Sequence, residues 1–487
     1  MGREADQGRE EGSGKHNSLP RRTWSAKGQG QCLRPSSPRP FPGGGRGSSI
    51  AVSLGAAFLI WPALVNGYPI LFSDTGALLE MALDPNMGWD KPWVYGPFLT
   101  PFHLRQTLWG AVAAQGLLVS WMLWLTQAVL MPPRPWRHAA LCAVLAVATA
   151  APWFTALLMP DVFTPIVVLG LFILAYGPAR LGRGTLACVV VAAAIAIAAH
   201  LAHLVLAAGV ILVAGVLRRA VPWRPALPLA GALAMLLASN LVGNGVLTVS
   251  PYGSVFALAR LVGDGPGRDW VDAACPAANR RICAWRGRLT ADSDQFLWGP
   301  YGPVWFDGFG PIRYAPEAKL LVPAIIAAYP GAVLLAAAEN TLRQLGRVQV
   351  GDALTALHVD VAVLPRLELY FPPAEAAQYR GSLQAADQLD AVAAPFRPLH
   401  LLALLAGAAA TVGIALRRRG PLQGLAVLVL AGLLANAAAT GALSGPHDRY
   451  QARIAWLVVL PPLLGYAAAR DASRRTTSSG AIRTSAS

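Results

Sequence analysis

The chain has 487 residues, of which 55% are hydrophobic and only 13% are charged. A soluble domain carries about 25% charged residues, so this composition excludes a soluble globular protein and predicts one embedded in a membrane. The net charge is +15, but much of it lies in the leading tail and in short connectors between apolar stretches. It therefore does not indicate nucleic acid as a partner.

Residues 1–48 are rich in Gly, Ser, Arg and Pro and show no hydrophobic period. This composition predicts a disordered cytoplasmic tail, or a mis-assigned start. From residue 49 onward, uncharged stretches approach the length of about 20 apolar residues that a helix needs to cross a bilayer core. We predict an all-α polytopic fold with ten transmembrane helices, at residues 49–67, 106–131, 139–158, 162–178, 185–199, 203–217, 226–248, 399–416, 421–443 and 453–469.

Every second connector between these stretches is basic, and Lys and Arg in short loops mark the cytoplasmic side. The basic residues are Arg134 and Arg137, Arg180 and Arg183, Arg218, Arg219 and Arg224, Arg417, Arg418 and Arg419, and Arg470, Arg474 and Arg475. Both termini are therefore predicted to be cytoplasmic. The loops that hold Asp74, Asp161, the His200/His203 pair and the HDRY segment at 447–450 then face outward.

A long polar region, 249–398, precedes the last three spans. Its apolar part near 320–345 is interrupted by Tyr329-Pro330-Gly331, so we expect an interfacial or re-entrant helix there rather than a crossing. The chain is thus divided into the tail 1–48, a seven-span module at 49–248 with its first external loop at 68–105, the external region 249–398, C-terminal helices at 399–470 and a disordered cytoplasmic tail at 471–487. Cys275 and Cys283 share the external region, where oxidising conditions permit a disulfide.

Two carboxylates follow apolar runs on the outer side. Asp74 lies where the chain leaves the first span, and partial desolvation at a membrane surface makes a carboxylate a stronger base. A solvated carboxylate at a helix end is the alternative. Asp161 follows Pro160 in a connector of a few residues, and a site residue and an N-cap of the span that begins at Val162 fit this position equally well.

His200 and His203 are spaced to share a helix face. No carboxylate motif accompanies them, so a metal ligand pair is not favoured, and we predict no metal site. They are either polar groups at the apex of a short hairpin or contacts to phosphate.

His447, Arg449, Tyr450 and Arg453 precede the final span on the outer side, where positive charge is not needed for topology. The planar guanidinium group matches phosphate oxygens. This pattern favours anion binding over arginines that only snorkel to the interface.

Four features follow one another along the chain: an acidic residue after the first span, a second in the next external loop, a long external segment, and an Arg449-Tyr450 element before the final helix. This arrangement resembles the GT-C superfamily of integral membrane glycosyltransferases. The resemblance is architectural and covers most of residues 49–470. It implies a polyprenyl-phosphate-linked sugar as donor, no separate cofactor, a glycan, lipid or protein acceptor, and an active site on the outer face of a bacterial inner membrane. By this resemblance Asp74 is the catalytic base, Asp161 assists it, and Arg449 and His447 contact the lipid phosphate.

The first loop departs from the family pattern because it has Asp-Thr in place of an adjacent acidic pair. The branch that uses lipid monophosphates and needs no metal fits better. A polymerase or ligase that joins lipid-linked glycans shares the same charge layout and stays open as an alternative. A transporter or flippase is a second alternative, although it would place ionisable groups at mid-membrane rather than at span ends.

Overall fold

The structure is a computed structural model that describes residues 46–84 and 87–484, without the side chains of Arg46, Asp307 and residues 474–484. The predicted leading tail therefore lies almost entirely outside the described residues. Within them the fold is helical, and the only strand-like feature is a single parallel bridge between Ile70 and Leu157. This confirms the all-α class.

Most helices of the first half of the chain lie close to the predicted apolar stretches, and two lie in the predicted external loop 68–105. They are α1 (Arg46–Leu59), α2 (Trp61–Asn66), α3 (Ser73–Leu83), α4 (Tyr95–His103), α5 (Trp109–Leu130), α6 (Pro135–Ala148), α7 (Ala151–Ala156), α8 (Phe163–Tyr176), α9 (Arg183–Ala198), α10 (Ala202–Arg218) and α11 (Trp223–Asn244). A 3-10 turn at Pro160–Val162 leads into α8.

The second half begins with short helices and ends with long ones. They are α12 (Gly253–Asp264), α13 (Pro266–Ala274), α14 (Ser293–Trp298), α15 (Gly310–Ala328), α16 (Pro330–Gly346), α17 (Val359–Ala362), α18 (Leu364–Tyr370), α19 (Pro373–Arg380), α20 (Leu389–Ala393), α21 (Arg397–Arg417), α22 (Pro421–Leu443), α23 (Asp448–Ala455) and α24 (Leu460–Thr484). Further 3-10 turns lie at Arg281–Trp285, Phe306–Gly308, Ala394–Phe396 and Trp456–Val459.

Within the described residues, five helices are long and apolar enough to cross a membrane. They are Trp109–Leu130, Trp223–Asn244, Leu389–Arg417, Pro421–Leu443 and Asp448–Ser473. Five shorter apolar helices coincide with the other predicted spans, at Gly47–Leu59, Pro135–Ala148, Pro160–Tyr176, Arg183–Ala198 and Ala202–Arg218. At 1.5 Å per residue they reach only about 20–26 Å, which is less than the ~30 Å hydrocarbon core. The ten-span count therefore stays a prediction.

The apolar part of the long region forms two helices, α15 and α16, which are bent by 99° at Tyr329 and Pro330. Proline lacks the backbone N–H that would continue the first helix. This geometry fits either a re-entrant pair of helices or one broken span. If the pair is counted as one span, it is the sixth candidate within the described residues.

The C-terminal end differs from the prediction. A disordered tail was expected from residue 471, but α24 continues to Thr484. Asp471 accepts hydrogen bonds from Arg137 through both carboxylate oxygens, each at 2.6 Å. Both bonds come from Nη2 of Arg137, and this ion pair joins α24 to α6. The sequence pattern alone does not show that these two residues meet.

Helix α8 lies at the centre of the bundle. All of its residues from Phe163 to Leu174 are buried, and it packs against α5, α9, α10 and α22. A helix that is apolar on every side is stable only when it is surrounded. Asp161 therefore lies at the positive N-terminal end of a fully enclosed helix, which favours a carboxylate.

The loop 68–105, which the sequence predicts to be external, is fixed by contacts with residues about 300 positions later. A Cβ atom on Gly76 would lie 2.0 Å from the Ala362 carbonyl oxygen, so only glycine allows α3 to approach α17 this closely. Arg366 donates to Glu80 at 3.0 Å. Gln384 bonds both the N–H and the carbonyl of Leu71, at 3.0 and 2.7 Å. These contacts hold the start of α3, where Asp74 lies.

The long region 249–398 has two parts with separate cores. Apolar side chains from Val255 to Ile325 form a hydrophobic cluster of their own, which includes the Cys275–Cys283 disulfide. Buried side chains between Val350 and Ala393 instead join the main core. The second part thus supports the first loop, while the first part contributes one wall of the cavity described next.

Candidate functional site

A cavity of about 360 Å³ lies where several apolar helices end. It is bordered by the start of α3, the turn before α8, the α9–α10 connector and the end of α22. Five of the eight predicted site residues line it, and they come from four separate parts of the chain. These residues are Asp74, Asp161, His200, Arg449 and Tyr450.

The Asp161 carboxylate is 1% exposed and is held by two guanidinium groups. Nη1 of Arg449 lies 3.5 Å from one oxygen, and Nη1 of Arg453 lies 3.4 Å from the other. The carboxylate therefore bonds to arginine side chains rather than to the first turn of α8. Of the two roles that the sequence left open for Asp161, site residue and N-cap, the N-cap does not fit, since Asp161 lines the cavity and pairs with the two arginines.

Arg449 is the arginine that borders the cavity, and only 9% of it is exposed. Its guanidinium lies over the Phe72 ring, 4.1 Å from the ring centre. Its backbone N–H donates to Asp352 at 3.1 Å. A guanidinium has five N–H donors, so the Nη1 contact with Asp161 leaves others to engage an anion in the cavity.

Arg453 is fully buried and does not line the cavity. Besides Asp161 it contacts the Asn436 side-chain oxygen, at 3.3 Å. Asn436 in turn donates to Gln451 at 2.8 Å. Direct phosphate contact, as the sequence analysis predicted for Arg453, does not fit this position. Its positive charge still contributes to the electrostatics of the site, because two guanidinium groups and one carboxylate give the cluster of Asp161, Arg449 and Arg453 a net charge of +1.

Asp74 faces the cavity from the first turn of α3, with 34% of its side chain exposed. The neighbouring Thr75 fixes this turn, because its hydroxyl accepts from the Phe72 N–H and donates to the Leu158 carbonyl, both at 3.0 Å. Leu158 lies three residues before Asp161. One threonine hydroxyl therefore ties the turn that carries the first carboxylate to the loop that carries the second.

Lys91 is a cavity residue that the sequence analysis did not single out. Its Nζ lies 3.3 Å from Asp74 Oδ1 and also contacts the Asp90 carboxylate. Burial opposes the charged form, but the two carboxylates outweigh it and hold the pKa of Lys91 above its usual range. The signal was present in the sequence: Lys91 is a cation in a loop that the charge rule predicts to face outward, where topology does not require one.

The two histidines of the α9–α10 hairpin have different environments. His200 lies in the connector and borders the cavity. His203 is buried, with Nδ1 donating to the Ala196 carbonyl at 2.7 Å and Nε2 accepting from the Thr164 hydroxyl at 2.9 Å. Both of its nitrogens are therefore used within the protein, and phosphate contact does not fit His203.

His447 lies outside the cavity wall. Its Nε2 is 3.8 Å from Asp294 Oδ2, and its backbone N–H and carbonyl bond to the side chain of Gln344 at 3.0 and 2.8 Å. His447 thus joins α14 and α16 to the start of α23. This position does not provide the phosphate contact that the resemblance implied.

Aromatic rings form the part of the cavity wall that comes from the region with its own hydrophobic cluster, Val255 to Ile325. Phe256 and Trp298 line the cavity, and Trp89 from the first loop stacks on Phe256 with ring centres 5.1 Å apart. Nearly half of Trp298 is exposed. A large flat ring at the rim of a cavity offers contact area at little entropic cost.

Metal-ligating side chains do not gather here: over residues 46–84 and 87–484 no three His, Cys, Asp or Glu residues form a group that could hold an ion. No protein-family model, curated protein or solved structure matches the chain. The chemistry of the cavity is therefore what indicates function. It combines a partly exposed carboxylate, Asp74, with a guanidinium, Arg449, at the ends of apolar helices.

Proposed function

We propose that this protein is a membrane glycosyltransferase of the GT-C type, which moves a sugar from a polyprenyl-phosphate donor to an acceptor on the extracytoplasmic face. One observation carries the proposal: the Asp74 carboxylate and the Arg449 guanidinium border the same cavity at the ends of apolar helices. A carboxylate supplies a base, and a guanidinium supplies donors for a phosphate. A polyprenyl phosphate is a substrate whose phosphate lies at the membrane surface, where the apolar helices end.

The reaction is a single displacement that inverts the anomeric carbon. Asp74 takes the proton of an acceptor hydroxyl while that oxygen bonds to the anomeric carbon. The bond from that carbon to the phosphate oxygen breaks, and the lipid phosphate leaves with both electrons. Arg449 stabilises the charge that grows on the leaving phosphate. Asp161 is a positioning residue, since its carboxylate holds Arg449 and is itself almost fully buried.

The charge distribution supports this assignment of roles. The cluster of Asp161, Arg449 and Arg453 carries a net charge of +1, which suits the anionic end of the donor. Asp74, Asp90 and Lys91 together carry −1, which suits the hydroxyl that must lose a proton. Lys91 restrains the Asp74 carboxylate within this group.

The arrangement of helix ends supports the finer topology. The N-terminal ends of α8 and α10 and the C-terminal ends of α9 and α22 all border one cavity, so these helices alternate in direction as the ten-span scheme requires. We propose that the five shorter apolar helices also cross, which places both termini in the cytoplasm and the protein in a bacterial inner membrane. Short helices are accommodated when the bilayer thins around them.

The test is a transfer assay with protein reconstituted in vesicles that contain undecaprenyl-phosphate sugars and mixed lipid and glycan acceptors. We expect wild-type protein to release undecaprenyl phosphate and to label an acceptor. Arg449→Gln should lower kcat/KM by about 10²–10³-fold, the usual cost of removing one preorganised donor from a developing charge.

The matched control is Arg347→Gln, because Arg347 is an exposed arginine that pairs with Asp448 at 3.4 Å and does not line the cavity. Its turnover should stay within about twofold of wild type. Movement of the intact lipid-linked sugar across the bilayer, without cleavage of the sugar–phosphate bond, would instead establish a flippase. Equal turnover of the two arginine variants would remove the phosphate-binding role.

A further inference from the structure

A second cavity, of about 530 Å³, shares no lining residue with the first. Two rows of side chains with helical spacing form its long walls, one on α21 and one on the segment that runs from α23 into the 3-10 turn Trp456–Val459. The first row is Arg397, Leu401 and Leu404, and the second is Ala452, Ala455 and Val459. We call this cavity the wedge, because its walls meet at one end only.

The closed end of the wedge is apolar. A Cβ atom on Gly407 would lie 3.0 Å from Cγ2 of Val459, so α21 and the 3-10 turn are in contact at this point. The walls separate toward Arg397, which lies at the opposite end. The seven residues from Arg397 to Leu404 make the wedge about 10 Å deep. It therefore has room for a headgroup and the first part of an acyl chain.

One side of the wedge opens beside α21. Leu401 is 49% exposed although it lines the wedge, and Pro398 at the same rim is also exposed. Helix α21 belongs to one of the five helices that are long and apolar enough to cross a membrane, and little of its apolar part is buried. In a bilayer this opening faces lipid, so an acyl chain can enter it without passing through water.

The polar end of the wedge carries one charge of each sign. The guanidinium of Arg397 donates from Nε to the Val350 carbonyl at 2.9 Å and pairs through Nη2 with Asp390. Within the described residues its Nη1 bonds to no protein group, and 30% of the Arg397 side chain and 40% of the Asp390 side chain are exposed. A guanidinium matches a phosphate, and a carboxylate matches an ammonium group. The pair is neutral as a whole, which favours a headgroup that carries both charges.

We propose that the wedge binds a phospholipid with a zwitterionic headgroup, a phosphatidylethanolamine. Its phosphate lies at Arg397, its ammonium group at Asp390, and the start of one acyl chain between the two walls. The volume is within the range of about 300–1,000 Å³ that small-molecule sites occupy. Bulk lipid is as apolar as the walls, so the headgroup supplies the selectivity. This site lies beyond the proposed function and does not depend on it.

Bound lipid also supports the segment that carries Arg449 and Arg453. Ala452 and Ala455 of that segment line the wedge. Trp456 lines it as well, and its Nε1 donates to the Arg453 carbonyl at 3.0 Å. A ligand that binds only the folded protein stabilises it by mass action. The lipid should therefore raise the unfolding temperature of the protein.

The experiment measures the binding of dioleoyl phosphatidylethanolamine and dioleoyl phosphatidylglycerol to full-length protein in detergent. Native mass spectrometry gives the affinities, and thermal unfolding is followed in the same samples. Wild-type protein should bind the ethanolamine lipid about threefold more tightly, the size of the effect of one exposed ion pair. The same lipid should give the larger rise in unfolding temperature.

Leu404→Trp fills the wedge and should weaken the ethanolamine lipid about tenfold. The matched control is Leu405→Trp, at the next position on α21, because Leu405 is 58% exposed and does not line the wedge. It should change the affinity less than about twofold. Equal losses in the two variants, or no loss in either, would overturn the wedge as the binding site.

Asp390→Asn tests the headgroup without filling the wedge. It removes the partner of the ammonium group and should abolish the preference for the ethanolamine lipid while the glycerol lipid still binds. Glu368→Gln is the control, because Glu368 pairs with Arg380 at the surface and does not line the wedge, and it should keep the preference. A preference that survives in Asp390→Asn, or wild-type protein that prefers phosphatidylglycerol, would overturn the headgroup assignment. Free phosphoethanolamine that binds as tightly as the lipid would overturn the lipid in favour of a soluble ligand.

Discussion

Asp74→Asn will lower sugar transfer by at least about 10²-fold without lowering the amount of folded protein in the membrane. The amide keeps the shape of the side chain but cannot accept the proton of an acceptor hydroxyl. General base catalysis contributes about 10²–10⁴-fold, which sets the size of the loss. The measurement is kcat/KM in the reconstituted assay, together with thermal unfolding of the purified variant.

Asp84→Asn is the matched control for this variant. Asp84 follows the same helix, α3, and is exposed, but it does not line the cavity. Its turnover should stay close to that of wild type. Normal turnover of Asp74→Asn, or an equal loss in both variants, would remove Asp74 as the base.

Asp161→Asn will destabilise the protein more than other single substitutions at the site. The carboxylate is the shared partner of two buried guanidinium groups, at 3.5 and 3.4 Å. Removing its charge leaves Arg449 and Arg453 buried side by side without compensation. Loss of one member of a buried ion pair costs about 3–5 kcal/mol, and we expect a loss of this size in the free energy of unfolding.

A double-mutant cycle separates this effect from a general disturbance of the loop. Adding Arg453→Met to Asp161→Asn removes one of the uncompensated charges, so the double variant should be more stable than the sum of the two single losses predicts. Asp294→Asn is the control, because its exposed carboxylate lies 3.8 Å from His447, and it should cost little. Strict additivity of the two losses, or a stable Asp161→Asn protein, would contradict the ion-pair account.

Much of the architecture could be predicted because membranes constrain chains strongly. Uncharged runs located the helices, and basic connectors predicted which loops share a side. These patterns predicted that Asp74, Asp161 and Arg449 lie at helix ends on one face, and the fold brings these three residues to one cavity. Neither the location of the helices nor the assignment of loops to one side needed knowledge of tertiary contacts.

The pattern could not predict which side chains face each other. Arg449 and Arg453 are one helical turn apart, yet the first borders the cavity and the second is buried behind it. His203 has the spacing from His200 that predicts a shared helix face, but its two ring nitrogens bond to the Thr164 hydroxyl and the Ala196 carbonyl. The pairing of Lys91 with Asp74 also depends on how α3 packs. Such differences are set by tertiary packing, which charge and hydropathy patterns do not encode.

The decisive measurement is a structure of the protein in a nanodisc with undecaprenyl phosphate bound. We expect phosphate oxygens about 2.7–2.9 Å from the Arg449 guanidinium, inside the cavity that Asp74 borders. Phosphate bound at the opposite ends of the helices, or outside the cavity and away from Arg449, would contradict this prediction.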